Sequence, residues 1–134
     1  MGKSDKDPLS RIELLDSPDR IREKIRKSVT DFTPNITYNP SDRPGVSNLV
    51  DILSACSNQT AEGICESSLH LDTAGFKSRV ADAIIERLRP IRDEFLRLKS
   101  DQSHLAEVIK QGNDRASAIA NSTLDHVRRS VGFV

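Results

Sequence analysis

Residues 76–98 read FKSRVADAIIERLRPIRDEFLRL, and the apolar positions among them, Phe76, Val80, Ala83, Ile84, Leu88, Ile91, Phe95 and Leu98, return every three or four residues. That is the period of one helix face, not the alternation of a strand. The spacing predicts a long amphipathic helix with Phe95 in register with Ile84, Leu88 and Ile91, and therefore in the core. Pro90 should kink it, because the ring has no N–H to give to the hydrogen-bond ladder. Toward the C-terminus, Ser103 opens a last helix striped by Leu105, Val108, Ile109, Gly112, Ala116, Ile119, Ala120, Leu124, Val127 and Val131. Toward the N-terminus, a turn through His70 to Thr73 separates the stripe from two shorter helices. Ser47 is placed to cap one carrying Leu49, Ile52, Leu53 and Cys56; Thr60 is placed to cap another carrying Ile64 and Cys65. Asn58 and Gly63 weaken the ends of these two.

Further back, Pro34, Pro40 and Pro44, with Asn35, Asn39 and Ser41 between them, mark an ordered loop. Before it, Ser17-Pro18 is an N-cap and first-turn signature, and Ile21, Ile25 and Val29 recur every four residues. A helix over roughly 18–30 follows, ending by Thr33 because Pro34 disfavours helical geometry in the residue before it. Residues 1–16 have no period; their apolar patch, Ile12, Leu14 and Leu15, reads as a loop returning to the core. The expectation is an all-α helical bundle of about five helices. No repeat or low-complexity linker marks a boundary inside 17–134, while a loop with no element before it is what a cut through a larger protein would leave.

Composition agrees. Aromatics are only 4% of the chain and Trp is absent, which suits helices packed through aliphatic side chains better than sheets. Twenty Lys and Arg balance twenty Asp and Glu, so no overall field points to nucleic acid or membrane, and only local clusters can make such a case. No apolar run is long enough to span a bilayer, and the N-terminus has no secretory pattern. Cys56 and Cys65 have no ligand partners at metal-binding spacing and read as two buried, reduced thiols. His70, His104 and His126 likewise share no metal-site spacing.

Gly2-Lys3-Ser4 copies the end of a phosphate-binding P-loop, but the upstream Gly, the strand before it and the helix directly after it are missing. Met1-Gly2-Lys3-Ser4-Asp5 reads better as the Lys-Met-Ser-Lys-Ser signature of class I aminoacyl-tRNA synthetases, with Gly2 where Ser is usual and the leading Lys off the chain. The continuation through Asp7-Pro8, Ile12 to Asp16, Ser17-Pro18-Asp19, Ile21, Lys24 to Lys27 and Thr30-Asp31 resembles the tryptophanyl-tRNA synthetases. So do Ile36-Thr37-Tyr38, Ala81 to Glu86 with Pro90-Ile91, and the ending Val131-Gly132-Phe133. The stretch Arg43-Pro44-Gly45-Val46-Ser47-Asn48-Leu49 is the most specific, since it separates this family from the tyrosyl enzymes.

The resemblance implies that residues 1–16 are the end of the ATP-binding signature loop with its connector, and 17–134 a C-terminal helical domain holding the tRNA anticodon arm. The parent would be a tryptophan–tRNA ligase, using ATP with Mg2+ and pairing as a homodimer through a domain absent here; this chain alone would be inactive. Lys3 would be the catalytic residue, its charge compensating the leaving pyrophosphate. Met1, Gly2, Lys3 and Ser4 would contribute to ATP binding, although Gly2 is costlier to order than Ser and lacks its hydroxyl. Asp31, Tyr38 and Arg43 read more simply as a cap, a packed ring with a polar tip and a surface cation.

Helix 18–30 carries Arg20, Arg22, Lys24, Arg26 and Lys27 against Asp19 and Glu23, and 77–99 carries seven Lys and Arg against four acids. Solvated helix faces explain such clusters as readily as RNA does. The resemblance favours tRNA(Trp), with Arg22, Arg26, Arg87, Arg89 and Arg92 as the contact candidates. A free-standing helical tRNA-binding or protein-interaction module is the rival reading. The stretch Thr30-Asp31-Phe32-Thr33 is closest to organellar enzymes, which implies the mitochondrial matrix, with a bacterial cytoplasm as the alternative.

Overall fold

The computed structural model describes residues 7–133. Its helices are α1 (Pro18–Lys27), α2 (Pro44–Ser57), α3 (Ala61–Ser67), α4 (Thr73–Ser100) and α5 (Gln102–Val131), with no strand among the described residues. The all-α expectation therefore holds. Two compact units divide the chain, the first running through Arg92 and the second beginning at Asp93. The division falls inside α4, two residues past Pro90, where no change of composition signals it. The helix is unbroken there, although Pro90 leaves the Glu86 carbonyl without its usual donor.

The core belongs to the first unit. Ile21 and Ile25 from α1, Val46, Leu49, Val50 and Leu53 from α2, Ile64 from α3, and Phe76, Val80, Ala81 and Ile84 from α4 meet there, with Ile36 inserted from the loop between α1 and α2. In α1, α2 and α4 these residues recur at three and four positions, so one stripe of each is withdrawn from water, while α3 contributes Ile64 alone. Local signals open the helices. The Ser17 hydroxyl accepts from the Arg20 N–H at 3.2 Å with Pro18 behind it, and the Thr60 hydroxyl accepts from Gly63 at 3.2 Å. Asp72 accepts from Gly75 at 2.7 Å at the start of α4.

The structure departs from the sequence pattern at several points. Ser47 does not cap α2: the helix starts at Pro44, and buried Ser47 lies inside it, its hydroxyl accepting from the Asn39 N–H at 2.9 Å. Asp101, not Ser103, opens α5, because its carboxylate accepts from the His104 N–H at 3.0 Å and outcompetes a neutral hydroxyl at a helix N-terminus. α1 ends at Lys27, where Ser28 turns its N–H and hydroxyl back on the Ile25 carbonyl. Val29 thus leaves the helical register and is 86% exposed rather than core. Leu14 and Leu15 are exposed too, and only Ile12 of their patch reaches the core.

The largest correction concerns the stripe over 76–98. Its N-terminal half is core, but Ile91 and Phe95 are exposed, Phe95 at 41%. No residue of α5 is buried despite its apolar stripe. Periodicity states which side of a helix favours burial; it does not supply the surface that buries it.

Gly45 has a reason of its own. A Cβ there would lie 2.4 Å from the Val29 carbonyl oxygen, so α2 approaches the preceding loop at a distance only glycine allows. Gly45→Ala is expected to destabilise the chain by about 1–3 kcal/mol through overpacking against backbone, read as a lower urea midpoint. In the same measurement Phe76→Ala should cost about 3–5 kcal/mol, whereas Phe95→Ala should cost well under half of that. Equal losses for the two phenylalanines would contradict this assignment of the core.

Candidate nucleic-acid interface

The candidate signature residues Met1, Gly2, Lys3 and Ser4 lie outside the described residues. Residues 7–16 are held to the helices through Asp16. Asp16 and Lys24 form a salt bridge with side-chain exposures of 11% and 4%. Arg92 donates to the Asp16 carbonyl at 3.1 Å, and the Asp16 carboxylate accepts from the Glu13 N–H at 2.9 Å. Burial by itself would raise the Asp16 carboxyl pKa, but the hydrogen bonds from Lys24 and Glu13 and the charges of Lys24 and Arg20 leave it below its ordinary value. Segment 7–16 is thereby tied to both α1 and α4.

The loop after α1 is organised by Arg43. Its guanidinium grips the Asp31 carboxylate in bidentate fashion, Nε to Oδ2 at 3.0 Å and Nη2 to Oδ1 at 2.8 Å. It also donates to the Thr33 carbonyl at 3.1 Å, the Asn35 carbonyl at 2.6 Å and the Thr37 hydroxyl at 2.6 Å. Arg43 is therefore a mostly buried hub rather than a surface cation, and Asp31 is its counter-ion. Arg43 holds the Asp31 carboxyl far below the usual carboxylate range, helped by the Thr33 N–H. Tyr38 is a half-exposed ring, its hydroxyl pKa raised by the Asp51 carboxylate beside it.

The basic candidates do not converge on one patch. Arg22 and Arg26 from α1 join Lys77 from α4 along a groove of about 450 Å³. Arg22 pairs there with Asp82 at 3.0 Å, and Lys77 donates to the Ser28 carbonyl at 2.8 Å, closing the end of α1. The Arg26 side chain makes no ion pair among the described residues. Arg87 instead borders a separate, mainly apolar cavity of about 640 Å³. Arg89 pairs with Glu86 at 2.6 Å, and Arg92 is engaged with Asp16 as above.

Much of the positive charge read from α1 is neutralised: Lys24 by Asp16, and Arg20 and Lys27 both by Glu23. Spacings of three and four residues make the Glu23 pairs legible in sequence, whereas the Lys24 pairing spans a helix start and has no such signal. Cys56 and Cys65 are free and half-buried, and burial raises both thiols. Among the described residues, no group of three His, Cys, Asp or Glu could hold a metal ion. No described helix is long and apolar enough to cross a membrane.

The described residues thus form an all-α fold in which segment 7–16 is clasped to α1 and α4, and Arg22, Arg26 and Lys77 share the groove of α1 and α4 with Asp19 and Glu23. Residues 1–89 match the family model of the class I tRNA synthetases (W and Y), and the chain belongs to that family. A tryptophan–tRNA ligase of Thermosynechococcus vestitus is 36% identical over 133 residues, covering 99% of this chain and 40% of its own length. One from Rickettsia conorii is 38% identical, covering 100% of this chain and 41% of itself. The chain thus spans about two-fifths of the length of these relatives. The crystal structure of a tryptophanyl-tRNA synthetase from Mycoplasma pneumoniae superimposes with a TM-score of 0.59 over the whole chain and 41% of its own, at 21% identity, which speaks for the fold alone. These relatives are bacterial, and the mitochondrial expectation gains no support from them.

The Asp31–Arg43 pair gives a pH test. A carboxylate whose pKa is depressed by folding stabilises the folded state above its unfolded pKa, near ~4, and that contribution fades as pH falls toward the folded value. The stability difference between the chain and Asp31→Asn should therefore be largest near neutrality and shrink steadily below about pH 4 in urea titrations. A difference independent of pH would mean that the carboxylate charge contributes nothing.

Proposed function

We propose that this chain is the C-terminal part of a tryptophan–tRNA ligase. In this reading, residues 1–16 are the end of the ATP-binding signature loop with its connector, and 17–134 are helices that hold the anticodon arm of tRNA(Trp). The observation that carries the reading is the match of the whole chain to relatives named tryptophan–tRNA ligase, joined to its place in the W and Y family. The parent would activate tryptophan with ATP and pass it to the tRNA. Mg2+ would arrive with the nucleotide. Dimerisation would fall to the parent's other domain. The bacterial relatives favour a bacterial cytoplasm over the mitochondrial matrix.

In that chemistry Lys3 has a defined role. Negative charge grows on the pyrophosphate as the tryptophan carboxylate attacks the α-phosphate, and an ammonium brought there by the loop offsets it mainly in the transition state. Ser4 and the Gly2 N–H would donate to phosphate oxygens. Lys3→Ala in the full-length ligase should lower the rate of tryptophan-dependent ATP–pyrophosphate exchange at least about a hundredfold while tryptophan affinity stays within about twofold. The 134-residue chain alone should show no exchange, and exchange by it would overturn the reading.

The tRNA side is tested by titrating the chain with tRNA(Trp) at several salt concentrations. Affinity should fall linearly in log–log form, with a slope of about 0.7 to 0.9 per phosphate contact. Arg26→Gln, which removes a cation with no ion-pair partner among the described residues, should flatten that slope by roughly one contact and leave the melting temperature unchanged. Arg22→Gln should do the same less cleanly because Asp82 loses its pair, and Arg87, Arg89 and Arg92 are compared by the same substitution. A slope insensitive to all five would exclude them as phosphate contacts.

A further inference from the structure

We propose that Phe32 is a stacking platform for an unpaired nucleobase of the RNA, a role that rests on the tRNA-binding reading above. Phe32 is fully exposed, the most exposed of the large apolar side chains among the described residues, in a chain with only four phenylalanines and no tryptophan. An exposed aromatic ring on a slack loop would simply fold down onto the surface. This one is held out. The Thr33 N–H donates to Asp31 Oδ1 at 2.9 Å, closing a turn with Phe32 at its tip. Arg43 then fixes both flanks, through the Asp31 carboxylate at 2.8 Å and the Thr33 carbonyl at 3.1 Å. At the loop's entry, Lys77 ties down the Ser28 carbonyl at 2.8 Å.

The backbone on either side of the ring is thus fixed before any partner arrives, so little ordering remains to be done on binding. The surroundings favour a polyanion over an apolar protein surface. The loop leaves α1 directly after Arg26 and Lys27, and the groove of α1 and α4 is lined by Arg22, Arg26 and Lys77 against Asp19 and Glu23, a net positive balance. Asp31, the acid next to the ring, is neutralised by Arg43. A rigid aromatic near a net-positive groove is the combination that binds single-stranded nucleic acid, with the cations following the phosphates and the ring taking a base face.

The absence of tryptophan makes the test direct, since Phe32→Trp installs a single indole reporter at the site. That variant is titrated with an RNA stem-loop bearing the tryptophan anticodon in its unpaired loop, and with a fully paired RNA duplex of equal length. Stacking predicts quenching of the indole by the stem-loop and none by the duplex. Phe32→Ala should weaken stem-loop binding by roughly five- to a hundredfold, with the salt slope and the melting temperature unchanged, because the ring touches neither phosphate nor core. Phe32→Tyr should bind as the unsubstituted chain does, whereas Phe32→Leu, apolar but without a π-face, should bind as weakly as the alanine variant.

Undiminished stem-loop affinity in Phe32→Ala would overturn the stacking role while leaving the tRNA reading intact. Equal binding of leucine and phenylalanine would also overturn it, in favour of plain apolar contact. No stem-loop binding by the unsubstituted chain at low salt would overturn the tRNA reading and this inference with it. Self-association of the chain that Phe32→Ala abolishes would mark the ring as a protein contact instead.

Discussion

The grip of Arg43 on the loop between α1 and α2 is the constraint from which the first unit takes its shape. Sixteen residues, 28–43, cross between the two helices with no regular backbone pairing of their own. Polar backbone groups left without partners near a core are costly, and a planar guanidinium offers five donors in a fixed fork. Arg43 directs them to one carboxylate, two carbonyls and one hydroxyl spread from Asp31 to Thr37. With the loop wrapped around that fork, Ile36 enters the core, the Asn39 N–H reaches the Ser47 hydroxyl, and the Val29 carbonyl comes against Gly45. Each residue of Arg43-Pro44-Gly45-Val46-Ser47 then has its own mechanical part. Arg43 is the fork, Pro44 sets the first helical turn, Gly45 permits the close approach, Val46 fills the core and Ser47 receives the loop.

That joint explains what can and cannot be read from the chain. Helices are legible because their stripes and caps are local: Ile21 with Ile25, Leu49 with Leu53, Phe76 with Val80 and Ile84, with Ser17 and Thr60 opening two of them, although the α2 face turns so that Val46 and Val50 are buried while Ile52 and Cys56 are only partly so. The Arg43 hub is not, because its partners lie six to twelve residues away in a segment without period, where an Arg looks like any other surface cation. Nor is the exposure of Val29, which continues the α1 pattern on paper; one serine side chain turned back on Ile25 takes it out of register. Phe95 departs for a different reason. It keeps the register of the stripe, but its half of α4 belongs with the second unit, where none of the α5 stripe is buried either.

The candidate site is legible to a smaller degree. The signature residues stand out by resemblance, and they lie outside the described residues. Among the basic candidates, counting charges overstates α1, because a helix face whose arginines and lysines sit among carboxylates presents far less field than its sequence suggests. Arg20, Lys24 and Lys27 are all answered by an acid within hydrogen-bonding distance, and of these the pairs of Arg20 and Lys27 with Glu23 are exposed enough to be screened and weak. On α1 that leaves Arg26 without an ion pair among the described residues, in a groove where Arg22 and Lys77 stand with Asp19 and Glu23.

Lys24 shows why cancellation is not the whole account. A surface pair such as Arg89–Glu86 can lose either partner at little cost, since water replaces it. The Lys24–Asp16 pair has been taken out of water, and each ion has lost hydration that only the other, with the Glu13 N–H, replaces. Removing one partner would leave a buried charge with no answer, a far larger loss than the pair contributes in net stability. The asymmetry makes the pair poor as a source of stability and strict as a specifier of position. Segment 7–16 can dock in the register that puts Asp16 on Lys24 and offers its carbonyl to Arg92, and a shift of one residue would strand the ammonium. Segment 7–16 is therefore fixed to α1 and α4 by the penalty for any other placement more than by the attraction of this one.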